Sequence, residues 1–233
     1  MLTIHKHILP KSAARPIIKL RKFSGITIHE TGNTNIGANA ASHDKYLHIN
    51  GGKNHQVSYH YVVDEKEAYC LIPENEVAWH AGDGANGMGN CETVAIEICV
   101  NKDGNFSKSR QNAAELAARI LHGHGIKKVV DGTKSKSTGN IFQHNTFSSY
   151  GKNCPQNIRE KGLWNGFVLD TQNILDALWG TKSELLPYRV RLTANDVKSQ
   201  IGAFNSLDNA ISFAKSNPGY RVFNGNGEEI INN

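Results

Sequence analysis

His29, His144 and Cys154 are the residues of this sequence whose types best suit a metal ion. Zinc takes imidazole nitrogen and thiolate sulfur, and hydrolytic zinc sites use three protein ligands with a fourth position left for water. Two neutral imidazoles and one thiolate would leave a divalent ion with residual positive charge. That is enough to polarise a carbonyl and to draw the pKa of bound water from about 15.7 towards about 7. The chain carries 11 histidines and 4 cysteines, so residue type alone selects nothing. A lone histidine is more often a surface or core residue, and a lone cysteine more often a small buried hydrophobe. His122 and His124 flank Gly123, where histidine is expected at a helix C-terminus.

The elements around these residues narrow the choice. Residues 23–29 alternate apolar and polar and predict a strand that ends at His29. Residues 38–48 predict a short helix, and 57–63 and 68–72 predict two further strands. Residues 94–100 (VAIEICV) form the most apolar run, a central strand with one acid, Glu97. Residues 107–122 have helical periodicity, with Ser107 as the expected N-cap, and 166–179 predict a last helix. Residues 131–140 are polar and rich in Gly, Ser and Thr, as in a loop, and His144 and Cys154 follow it. A carboxylate in an apolar strand is costly unless paired or used. Burial would raise the pKa of Glu97, which suits a general base; the alternative is a structural ion pair.

The segments ITIHETGN, VSYHYVVD, VAWHAGDG, VAIEICV and GKNCP occur in that order. Over roughly residues 20–168 the chain resembles the zinc amidase family of T7-type lysozyme, bacterial N-acetylmuramoyl-L-alanine amidases and animal peptidoglycan recognition proteins. The likeness is strongest to endolysins of phages and prophages of Gram-positive spore formers. The resemblance implies His29, His144 and Cys154 as ligands of Zn2+, Glu97 as the acid of the central strand and Lys152 as a catalytic lysine. It implies Tyr59 as a tyrosine that some members use near the metal, and His80 as a substrate-side histidine. Family members that only bind peptidoglycan usually lack the cysteine, so Cys154 weighs against the alternative of a non-catalytic peptidoglycan-binding protein. Asn145 departs from the acidic or basic residue that many members place after the second histidine.

The fold implied is α/β: a central mixed sheet of about five or six strands with helices on both faces. Its substrate and partner would be peptidoglycan, cut between N-acetylmuramic acid and L-alanine. A cysteine peptidase is the rival enzyme, but no histidine follows Cys154, the order that wall cysteine peptidases use. The net charge of +5 favours anionic partners such as polyanionic wall polymers. A nucleic-acid role finds no basic stripe with interleaved aromatics, and no apolar run approaches a membrane span. The first sixteen residues contain no secretory h-region, so synthesis in the cytoplasm without a signal peptide, then release or export to the wall, is expected.

Composition shifts at residues 180–187 (GTKSELLP), which divides the chain into a catalytic domain at 1–179, a linker at 180–187 and a small module at 188–233. The module predicts a strand at 188–193, a helix at 206–216, a strand at 220–223 and a short final strand, in the order βαββ. Its YRVRL, QIGAF, SLDNAISFAK and GYRVF segments resemble small SPOR-like wall-binding domains. A stabilising or dimerising appendage is the other reading.

Overall fold

A computed structural model of the chain describes residues 1–51, 56–148, 150–180, 188–204, 206–225 and 227–231. The first part runs β1 (Thr3–Lys6), β2 (Gly25–Glu30), α1 (Ala40–Asn50), β3 (Tyr61–Val63) and β4 (Glu67–Cys70). It continues with α2 (Met88–Glu92), β5 (Thr93–Ile98), α3 (Phe106–Gly123), β6 (Ile141–Gln143), α4 (Gln156–Glu160) and α5 (Trp164–Leu178). The second part is β7 (Tyr188–Arg191), β8 (Gly202–Phe204), α6 (Leu207–Lys215), β9 (Arg221–Phe223) and β10 (Glu229–Ile231).

The first six strands form one mixed sheet in the order β1-β4-β3-β5-β2-β6. Strands β3, β5, β2 and β6 lie parallel, and β4 runs antiparallel to β3. Period-two alternation splits the central strands into two faces. Ile26, Ile28, Val94, Ile96 and Ile98 point to the face covered by α3 and α5, in the largest core cluster. Val62 and Ala95 point to the other face, towards Ala40 and Leu47 of α1. The α/β fold with helices on both faces is therefore observed, with six strands.

Several elements depart from the sequence expectation. Strand β1 was not predicted: it is an edge strand exposed along its length, so burial leaves no alternation to read. Strand β6 lies between the expected loop at 131–140 and His144, where no element was expected, and its three residues are too short to show a period. The α3 cap is Asn105, whose side chain accepts from the Lys108 N–H, and not Ser107. The C-terminal order is ββαββ, because Gly202–Phe204 adds a strand beside β7. Residues 181–187 of the expected linker lie outside the described residues.

The C-terminal sheet, β10-β9-β7-β8, shares a core with the first part. Leu207 packs so closely on helix α5 that a Cβ at Gly166 would sit 1.9 Å from its Cδ2. Arg110 of α3, fully buried, bridges the two parts: one nitrogen lies 3.3 Å from Asp170 and another 2.7 Å from Asp208 of α6. The Tyr188 hydroxyl donates to Asp170 at 2.9 Å. Burial pushes the Asp170 carboxyl up to about 6, against the pull of Arg110 and Tyr188. Removing one partner of such a buried set strands the other charges. Arg110→Ala should therefore lower stability by about 3–5 kcal/mol, read from urea unfolding. A loss under about 1 kcal/mol would show that the bridge adds nothing to the union of the two parts.

Candidate metal centre

The parallel strands create the site before any side chain is considered. Ligands of open α/β sheets gather at the carboxyl ends of parallel strands. Here β5, β2 and β6 are adjacent and parallel, so their carboxyl ends share one edge. His29 is the penultimate residue of β2, Glu97 is its partner in register on β5, and His144 directly follows β6. His29 and Glu97 fall on the α1 face, opposite to Ile28 and Ile96.

The structure brings the two histidines and the cysteine together. His29 Nδ1 and His144 Nδ1 are 3.0 Å apart, and Cys154 Sγ lies 4.0 Å from His29 Nδ1. All three donors fall within 4.8 Å of one another, and all three residues are buried. Tetrahedral zinc with bonds of about 2.0–2.1 Å to nitrogen and about 2.3 Å to sulfur sets donor separations of about 3.3 and 3.6 Å. The observed spacing fits within the adjustment side chains can make.

Proton placement supports the same fit. The Ala81 carbonyl can only accept, so His144 Nε2, 3.2 Å away, carries the hydrogen. In the tautomer in which His29 Nε2 donates to His80 Nδ1 at 3.1 Å, the two bare Nδ1 atoms lie 3.0 Å apart and within 4.8 Å of the Cys154 sulfur. Only a shared proton or a cation can sit between two such atoms. Burial lowers the pKa of His29 well below its usual value and that of His144 to about 4, so both are neutral bases at neutral pH. Burial pushes the Cys154 thiol up to about 12, with Glu97 adding to the rise. A thiolate there needs a cation beside it.

Residues not singled out from the sequence hold Cys154 in place. The Glu30 carboxylate accepts from the Asn157 and Ile158 N–H groups and from the Asn157 side chain, at 2.8–2.9 Å. This ties the end of β2 to the segment after Cys154. Asn145 donates its N–H to the Cys154 carbonyl at 2.9 Å and its side-chain amide to the Lys152 carbonyl at 2.8 Å. The Asn145 departure thus has a local use, since a carboxylate there could not donate. Glu30 directly follows a candidate ligand on its strand, and that adjacency was the signal available in the sequence.

Glu97 Oε1 lies 3.8 Å from His29 Nδ1, while Oε2 is buried without a hydrogen-bond partner among the described residues. Burial pushes its carboxyl up to about 8, opposed by Lys152 and reinforced by Glu30. Among the described residues no lysine or arginine forms an ion pair with it. Lys152 is exposed, yet its charge reaches His29, His144 and Glu97. His80 is buried behind His29, and it also borders a cleft of about 480 Å³ with Trp79, His144, Tyr150 and Lys152. The Tyr59 hydroxyl donates to the His43 carbonyl at 3.4 Å, and burial, reinforced by the charge of Glu97, holds its pKa well above the usual value. It lines a second cleft of about 530 Å³ with Thr31, His43 and Tyr46. Val57 borders both clefts. A larger cavity of about 900 Å³ between α3 and α6 contains none of the donors.

The fold and the site define an α/β protein with a candidate His–His–Cys metal centre at the ends of parallel strands and a buried acid beside it. A family model described as N-acetylmuramoyl-L-alanine amidase matches residues 19–157, and the chain belongs to that family. The chain is 39% identical over 142 residues to the N-acetylmuramoyl-L-alanine amidase XlyA of Bacillus subtilis (strain 168), covering 61% of this chain and 42% of the relative. It is 35% identical over 169 residues to the amidase CwlH of the same organism, covering 72% and 60%. The chain thus spans about half the length of the curated relatives it matches. The solved catalytic domain of XlyA superposes with a TM-score of 0.61 at 34% identity, covering 73% of this chain and 99% of that one. PlyL superposes with a TM-score of 0.59 at 29% identity, covering 74% and 97%. No described helix is long and apolar enough to cross a membrane.

Proposed function

We propose that this chain is a zinc-dependent hydrolase of peptidoglycan that cuts the amide bond between N-acetylmuramic acid and L-alanine of the stem peptide. The observation that carries the reading is the convergence of His29, His144 and Cys154 beside a buried oxygen of Glu97 that has no hydrogen-bond partner among the described residues. Zinc held by the three residues would supply Lewis-acid polarisation of the scissile carbonyl and a water of lowered pKa. Glu97 takes the proton of the attacking water and returns it to the leaving nitrogen, since both steps occur within reach of one carboxylate. Lys152 places its ammonium where negative charge develops on the carbonyl oxygen, a contribution whose loss costs about 10²–10³ in rate. The clefts on either side of Val57 offer room for an extended glycopeptide, with His80 lining one and Tyr59 the other. Tyr59 serves as a wall of its cleft in this reading, with its hydroxyl 3.4 Å from the His43 carbonyl.

Two rivals fare worse. A cysteine peptidase needs a thiol with depressed pKa, and burial raises that of Cys154. A non-catalytic wall binder gives no use to a buried carboxylate left unpaired beside three metal donors. The C-terminal part, with its antiparallel sheet, is proposed as a SPOR-like module that holds the enzyme on the wall. The positive charge of the chain would add attraction to anionic wall polymers.

The test is elemental analysis for zinc, followed by mass spectrometry of purified walls digested with the chain. The expected result is one zinc per chain and new free N-terminal alanine, lost on chelation and restored by zinc. Digestion that releases a different end group, or that survives complete removal of metal, would overturn the reading.

A further inference from the structure

We infer that the Asn90 side chain and the His80–Ala81 dipeptide act as one clamp that sets the orientation and tautomer of both histidine ligands. The inference rests on the zinc reading above. His29 and His144 are 115 residues apart in sequence. Their outer nitrogens nevertheless find acceptors on two consecutive residues. His29 Nε2 meets His80 Nδ1 at 3.1 Å, with the rings edge-on at 88°. His144 Nε2 meets the Ala81 carbonyl at 3.2 Å.

This dipeptide belongs to no helix or strand, so no ladder fixes it. Asn90 does so instead. Its Oδ1 accepts the N–H of His80 and the N–H of Ala81, each at 2.8 Å, and its amide donates to the Gly84 carbonyl at 3.1 Å. Two successive N–H groups aimed at one oxygen settle the rotation of the 80–81 backbone, which in turn aims the Ala81 carbonyl. Asn90 is itself held: its N–H and that of Gly89 donate to the Asp83 carboxylate at 3.2 and 2.7 Å. Asn90, His80 and Ala81 are all buried, which strengthens these hydrogen bonds. Outer-shell acceptors fix the tautomer of metal-bound histidine, and losing one typically lowers metal affinity about 10–100-fold. Asn90 is a positioning residue on this reading, as it acts through the dipeptide.

The test compares the unmodified chain with Asn90→Leu, Asn90→Asp and His80→Phe. Zinc affinity is measured by competition with a chromophoric chelator, well below each variant's melting temperature, and the cobalt(II) absorption spectrum reports ligand geometry. Asn90→Leu should bind zinc about 10–100-fold more weakly and shift the cobalt bands. Asn90→Asp, which keeps the acceptor for both N–H groups, should recover most of the affinity. His80→Phe leaves the backbone clamp in place and removes only the His29 acceptor, so it too should weaken zinc binding and shift the bands. Folded Asn90→Leu with unchanged affinity and spectrum would overturn the inference. If Asn90→Leu does not fold, unchanged values in His80→Phe overturn it instead. An unmodified chain that binds no zinc would sink the functional reading itself, a different failure from normal zinc binding in the variants.

Discussion

Glu97→Gln should leave the zinc content of the chain unchanged and reduce wall hydrolysis by about 10²–10⁴, the range that general acid–base catalysis supplies. The amide has almost the same shape as the carboxylate and keeps an oxygen for any contact that Oε1 makes near His29. It cannot accept and return a proton. The environment explains why the residue is an acid at all. Glu97 sits between Ile96 and Ile98 on the central strand, flanked by β2 and β3, with its side chain only 14% exposed. A carboxylate placed there for stability would be expected to find a cation, yet Oε2 has no partner among the described residues. The unpaired group is a cost to the fold. Glu97→Gln should therefore not destabilise the chain and could raise its melting temperature slightly. Zinc analysis, wall turbidity assays and thermal unfolding on the same preparation decide the matter. Lytic activity within a factor of a few of the original would remove Glu97 from the reaction. Loss of zinc together with activity would make it a support for the ligands.

Much of this site was legible in the sequence because its parts sit at the ends of strong signals. The run around Glu97 is so apolar that one acid inside it stands out. The alternation before His29 marks a strand whose end falls one residue short of the observed one, Glu30. Composition could not show that β2, β5 and β6 lie side by side and parallel, which is what brings His29, Glu97 and His144 to one edge. Strand β6 has only three residues, so its role was hidden in a polar stretch. The supporting residues were less legible still. Glu30 acts on a backbone group 128 residues away, while Asn90 and Asn145 act on backbone groups ten and seven residues away in irregular segments, where no periodic pattern marks an asparagine that will hold a turn. The C-terminal part adds contacts that composition does not mark: Arg110, Asp170, Tyr188 and Asp208 link it to the first part. Those contacts join residue types common on helix and strand surfaces, so their burial could not be foreseen.

Cys154→Ser should give the largest loss of all: zinc below stoichiometry, no wall hydrolysis, and a chain that is still folded. Serine is close to cysteine in size, and the sulfur has few obligations in the fold. Its recorded partner is His29, 4.0 Å away. The backbone around it is held by Glu30 and Asn145, which the substitution does not touch. A serine hydroxyl is a poor zinc ligand beside a thiolate, since zinc sites are built from sulfur, imidazole and carboxylate. Losing a direct ligand should exceed the about 10–100-fold penalty of losing an outer-shell partner. The consequence for stability follows by linkage. A ligand that binds only the folded chain stabilises it by about 4.1 kcal/mol at a thousand times its dissociation constant. The melting temperature of the unmodified chain should therefore rise steeply with added zinc, while that of Cys154→Ser should stay flat. With zinc chelated, the two chains should melt within a few degrees of each other, because the thiol contributes little without the ion. Calorimetry with and without zinc separates the cases. A zinc-dependent rise of equal size in both chains would show that Cys154 does not hold the metal. The centre would then need a third ligand other than the sulfur.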